Sequence, residues 1–120
     1  MVRIATVVMG ASDVRRAAEF RKASLGHVER EPAKDDWVVV LVPAEGPGAG
    51  LALGRSGTPV QEVPRVHLDL YTGEQDAEVD RLIALGAARV DRDLYPDDPD
   101  FVVPADPEVN RFCVIDTTHG

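Results

Sequence analysis

The stretch RVHLDLYTGEQDAEVDRLIALGA, residues 65–87, reads as a strand followed by a helix. Polar His67, Asp69 and Tyr71 alternate with apolar Val66, Leu68 and Leu70, the period of two that a half-buried strand requires. Thr72-Gly73-Glu74 then opens a helix, Val79, Leu82 and Ile83 supply its apolar stripe, and Gly86 closes it after Leu85. The same order stands upstream. Residues 3–9 alternate around β-branched positions, Ala11-Ser12-Asp13 offers a helix start, and a helical stretch runs to Leu25 and stops at Gly26. Leu25-Gly26-His27 and Leu85-Gly86-Ala87 are matching punctuation, about sixty residues apart.

Short β-rich runs follow each helix: residues 27–31, 37–42 and 50–54 in the first half, and 88–91, 100–103 and 111–115 in the second. Each half is therefore β-α-β-β-β. Residues 57–64, with Gly57, Pro59 and Pro64, read as a linker between a module at 1–56 and a module at 65–120. One such unit covers one face of its sheet with a helix and leaves the other bare, a poor structure for sixty-odd residues alone. The fold expected is a single α+β domain, in which two β-α-β-β-β modules pair curled mixed sheets around a central cleft. Side chains pointing away from the helices then line that cleft.

The bulk properties narrow the function. The chain has 120 residues and a net charge of −8, with no basic stripe, which argues against a nucleic-acid partner. The longest apolar run, residues 38–42, falls far short of the ~20 residues that cross a bilayer. The single cysteine cannot form an internal disulfide, and residues 1–10 are too short and strand-like for a signal peptide, so a cytoplasmic location is expected. The acidic residues 91–100, broken by Pro96 and Pro99, read as a solvated loop.

Val66-His67-Leu68-Asp69-Leu70, the helix ending in Ala84-Leu85-Gly86-Ala87, and Asp106-Pro107-Glu108-Val109-Asn110-Arg111-Phe112-Cys113-Val114 together resemble the vicinal oxygen chelate superfamily. This is the group of glyoxalase I, bleomycin-resistance proteins and extradiol dioxygenases. Ala18-Glu19-Phe20 and Leu25-Gly26 extend the resemblance more loosely into the first half. It implies four metal-ligand positions, from the first and last strands of each half, which fall here on Thr6, Ala52, His67 and Cys113. Thr6 and Ala52 are not normal ligands, and Cys113 stands where the family usually has glutamate. One imidazole and one thiolate fall short of the three protein ligands of a catalytic zinc, so no metal and no cofactor is expected. Superfamily members of this length often dimerise, which makes a homodimer the implied assembly.

Alternation sends His67, Asp69 and Tyr71 into the cleft, with Val66, Leu68 and Leu70 against the helix. By the same logic Arg111, Cys113 and Ile115 face the cleft while Phe112 and Val114 enter the core. Thr6, Trp37 and Phe101 complete the expected ligand-binding set, although Trp37 and Phe101 could equally belong to the helix side. Two residues along a strand span about 7 Å, too far for a His67–Asp69 hydrogen bond unless the side chains lean together. His67 is either a general base or a donor to a ligand carbonyl, or simply a hydrogen-bonded strand residue. Cys113 reads as a small hydrophobe more readily than as a nucleophile. Arg21 falls near the centre of the first helix's buried stripe. Its guanidinium is expected to snorkel to water, with anion binding as the alternative. Val109 occupies a turn position where relatives carry glycine, so that turn should be strained or reshaped.

Three functions follow. The first is metal-free binding of a hydrophobic or aromatic small molecule, with Trp37, Tyr71 and Phe101 stacking and His67, Asp69 and Arg111 orienting its polar edge. The second is a glyoxalase- or isomerase-like enzyme with His67 as catalytic base. The third is a structural or dimerisation domain with a vestigial cleft.

Overall fold

The computed structural model describes residues 1–32, 35–91 and 95–119. The chain forms two compact units, Met1–Pro59 and Val60–Gly120.

The first unit runs β1 (Thr6–Ala11), α1 (Val14–Leu25), β2 (His27–Glu29), β3 (Val38–Pro43) and β4 (Gly50–Arg55). Its four strands lie in the order β1-β4-β3-β2. β1 runs parallel to β4, while β4–β3 and β3–β2 are antiparallel. The helix begins where the sequence offers a cap: the Asp13 carboxylate accepts a hydrogen bond from the Arg16 amide at 3.0 Å, satisfying one of the orphan donors of the first turn. It ends at Gly26, whose φ of 66° is the left-handed conformation that favours glycine. Val14, Ala17, Ala18, Phe20 and Arg21 form the buried face of α1, and Val39, Leu41, Leu51 and Leu53 are buried on the strands.

The second unit contains β5 (Asp69–Thr72), α2 (Gln75–Ala84), β6 (Ala88–Arg89), β7 (Phe101–Val102), β8 (Pro104–Ala105) and β9 (Cys113–Asp116). A three-stranded sheet has the order β5-β9-β7, and β6 and β8 form a separate antiparallel pair. The side-chain amide of Gln75, at the start of α2, donates through Nε2 to the carbonyls of Asp100 and Val114, both at 3.0 Å, which ties the helix start to β9. Val79 and Leu82 of α2, with Val103, Ala105, Phe112 and Val114, are buried. Both halves are thus mixed α+β units with one helix each, as the repeat implied.

Several expectations need correction. β1 starts at Thr6 rather than at residue 3, and β5 starts at Asp69, so residues 65–68 do not continue the strand. Val66 is 78% exposed and does not cover the helix side. Alternation fails there because the ladder has not begun: the first backbone tie to β9 runs from the Cys113 amide to the Leu68 carbonyl, at 2.9 Å. β8 had no signal in the sequence, since a Pro-Ala pair is a weak strand former. Of the acidic segment 91–100, residues 92–94 lie outside the described residues. No helix among the described residues is long and apolar enough to cross a membrane.

Candidate functional site

The second unit carries a pocket of about 170 Å³. Val63 and Pro64, Val103 and Phe112 form its apolar wall, with Glu62, His67, Arg111 and Cys113 as its polar or polarisable members. Residues 62–64 belong to the segment that reads as a linker, and proline and valine beside a glutamate gave no sign that they would line a site. Phe112 is 1% exposed, so it is at once core and pocket floor. Arg111 is half-buried.

His67 and Asp69 do meet. The His67 Nε2 and Asp69 Oδ1 atoms are 3.0 Å apart, with both side chains close to half exposed. The strand spacing that would separate them does not apply, because His67 precedes β5 and its backbone is free to bend toward Asp69. Asp69 is paired in register with Cys113 across the parallel β5–β9 ladder, so the two side chains share a face of the sheet. As a result, the donor atoms of His67, Asp69 and Cys113 all lie within 4.8 Å of one another.

Of the ligand-binding residues expected from the sequence, His67, Arg111 and Cys113 line this pocket, and Asp69 adjoins it through His67. The stacking residues do not. Tyr71 is 73% exposed on β5. Phe101 is half-buried and packs on Tyr95, with ring centroids 5.3 Å apart. Trp37, in the first unit, is 60% exposed and lies beneath the Arg55 guanidinium, 5.0 Å from the ring centroid. Thr6 is half-buried on β1.

Arg21 overturns its expected role. It is 1% exposed, so the guanidinium does not reach water; it lies 5.4 Å from the centroid of the Phe20 ring. A side chain in the centre of a buried stripe must follow the helix geometry, and here the stem is too deep to snorkel out.

The metal implied by the resemblance can be tested against the residues present. Of its four positions, Ala52 carries only a buried methyl group and Thr6 a neutral hydroxyl, so neither first-half position offers an imidazole, thiolate or carboxylate. The chain does not fit a four-ligand centre of that kind. Asp69, which is outside that set, is the donor that the strand-based count missed.

The profile of the glyoxalase-like domain family matches residues 6–115. No curated protein matches the chain. Among solved structures, the fosfomycin resistance protein FosX of Listeria monocytogenes, crystallised with Mn(II) and a dihydroxypropylphosphonic acid, is similar with a TM-score of 0.75 at 15% identity, over 98% of this chain and 92% of that one. A glyoxalase/bleomycin resistance protein/dioxygenase family enzyme from Burkholderia phytofirmans gives 0.71 at 17% identity, over 94% and 97%. A protein from Agrobacterium tumefaciens, solved by NMR, gives 0.64 at 24% identity, over 96% and 97%. At these identities the likeness shows the fold alone. With the family profile spanning nearly the whole chain and two β-α-β units in the order the repeat required, the chain belongs to the glyoxalase-like domain family of the vicinal oxygen chelate superfamily.

Proposed function

We propose that the second unit binds a small molecule with an apolar body of about one ring and an anionic end, and that it does so without the four-ligand metal centre of the superfamily. The observation that carries this reading is Arg111. Its side chain lines an otherwise largely apolar pocket and has no ion pair or side-chain hydrogen bond among the described residues. A half-buried guanidinium facing apolar wall is costly unless an anion completes it. The pocket's volume of about 170 Å³ is close to that of an engineered cavity that takes up benzene. That size excludes a large planar drug.

Thermal unfolding with benzoate and benzylamine, in the presence of chelator, tests the reading. Benzoate should raise the melting temperature and benzylamine should not, and Arg111→Met should remove the benzoate effect; saturation at a hundred times Kd corresponds to about 2.7 kcal/mol. No shift with any apolar acid would instead favour a structural domain with a vestigial pocket.

One observation favours a second reading. The His67–Asp69 contact of 3.0 Å is the base-and-orienter pairing that proton abstraction needs. His67 would take a proton from a carbon beside a carbonyl, the electron pair would move onto the carbonyl oxygen, and Arg111 would stabilise the enolate. Deuterium incorporation from solvent into a bound keto acid, lost in His67→Ala while benzoate still binds, distinguishes this enzyme from a simple binder.

A further inference from the structure

We infer that the ligand of the second unit's pocket is a zwitterion, an α-amino acid with an apolar side chain, its carboxylate on Arg111 and its ammonium on Glu62. This rests on the ligand reading above and names the ligand class. Glu62 and Arg111 line the same pocket, and among the described residues they form no ion pair with each other or with any other side chain. Two unlike charges that share so small a space without closing on each other leave a gap between them. In an α-amino acid the ammonium and the carboxylate stand on one carbon, and with charge-assisted hydrogen bonds of roughly 2.7–2.9 Å at each end the group spans about 8 Å from guanidinium nitrogen to carboxylate oxygen. A pocket of about 170 Å³ is roughly 7 Å across if taken as a sphere. The head group therefore reaches both charged walls.

Both walls are held by the backbone. Arg111 forms an antiparallel bridge with Ala105, and the next amide, of Phe112, donates to the Pro104 carbonyl at 3.1 Å. On the opposite side the Gln61 side chain accepts from the Arg65 amide at 3.2 Å, a clasp that spans Glu62, Val63 and Pro64. The lining grades from buried Val103 and Phe112 to half-buried Arg111 and exposed Glu62, so an apolar side chain enters first and the charged end stays at the mouth. The charge set also suits a zwitterion better than a plain anion. Asp69, bound to His67 beside the pocket, adds a second carboxylate to that of Glu62, and the whole chain carries −8. An anion meets that field unrelieved, whereas a zwitterion has no net charge to be repelled and turns the Glu62 carboxylate from a neighbour of like sign into a partner.

Calorimetric titration of the full chain with phenylalanine, 3-phenylpropanoate and phenethylamine, in chelator, tests the inference, because the three share a ring and differ only in the charged groups they carry. Phenylalanine should bind about fivefold more tightly than 3-phenylpropanoate, the scale of one partly exposed ion pair, and phenethylamine should not bind. Glu62→Gln should erase that preference and leave 3-phenylpropanoate at no less than its parent affinity, while Arg111→Met should remove binding of both acids, with circular dichroism confirming that each variant is folded. Equal affinity for the two acids in the parent, or a preference for 3-phenylpropanoate, would overturn the inference, as would a Glu62→Gln variant that still prefers phenylalanine. In those cases benzoate and 3-phenylpropanoate still bind, so the reading of the pocket as a site for an apolar anion stands; if none of the acids binds, both readings fall together.

Discussion

Asp69 and Cys113 face each other in register across the parallel β5–β9 pair, while the neighbours of Cys113, Phe112 and Val114, are buried at 1% and 2% exposure. One strand end therefore separates a chemical face from a packing face. Phe112→Ala should cost roughly 3–5 kcal/mol through lost burial and the cavity left behind, whereas Cys113→Ser should cost about 1 kcal/mol or less. Chemical denaturation of the two variants checks this; equal losses would mean that the faces are not distinct.

Val109 holds a φ of 70° in a turn closed by the Asp106 carboxylate, which accepts from the Glu108 and Asn110 amides at 2.9 Å each. A β-branched residue in the left-handed region is strained, and glycine is not. Since the Val109 side chain is 64% exposed, little packing is lost on its removal. Val109→Gly is expected to stabilise the protein by about 1 kcal/mol, a rise of several degrees in melting temperature. An unchanged or lower melting temperature would show that the turn is not under strain.

Gly50 pairs with Thr6 at the start of the parallel β1–β4 ladder. A Cβ placed there would lie 2.8 Å from the Leu41 carbonyl oxygen, a backbone atom with little freedom to withdraw. Gly50→Ala should therefore cost roughly 1–3 kcal/mol despite adding one methyl group. A urea midpoint equal to that of the parent would show that β3 and β4 can part to admit it.

These cases mark what was legible in the sequence. Asp13 before an apolar stripe and Gly26 after it carry local chemistry, so both ends of α1 could be read from neighbours in the chain. The alternation of Cys113 with Phe112 and Val114 was equally readable, because it depends only on strand geometry. Contact of His67 with Asp69 was not, since it depends on where β5 begins, and that is set by the bond from Cys113 to Leu68, forty-five positions apart in sequence. The pocket wall at residues 62–64 is likewise a product of tertiary packing, and so is the depth of the Arg21 guanidinium, although helical periodicity did place that residue on the buried stripe.

Charge ties α1 to β2. Glu29 accepts from Lys22 Nζ at 3.0 Å and from Arg15 Nη1 at 3.3 Å, and the hydrogen bond from Lys22, with that from Arg15 beside it, holds its carboxyl below the usual range against a smaller opposing effect of desolvation. A folded-state value lower than the unfolded one means stability that is present above the unfolded pKa and lost as pH falls through the folded one. Glu29→Gln should then be less stable than the parent near neutral pH, with the difference shrinking to nothing in acid. Denaturant midpoints of both proteins across this range check the sign; a gap that widens in acid would reverse it.

Arg21 is 1% exposed and sits among Val14, Ala17 and Ala18 on the buried face of α1, with its guanidinium against the Phe20 ring at 5.4 Å. Burial of a cation is opposed by desolvation, so what retains the residue there is the volume its stem fills together with the contacts its head makes. Removing both at once leaves a cavity that neighbouring alanines are too small to close, and Arg21→Ala should cost roughly 2–5 kcal/mol. Methionine keeps most of the length without the charge, and Arg21→Met should recover a large part of that loss, because an apolar side chain of similar volume replaces a buried charge at little net cost. If Arg21→Met proved as damaging as Arg21→Ala, the guanidinium contacts rather than the packed stem would be what stabilises this helix face.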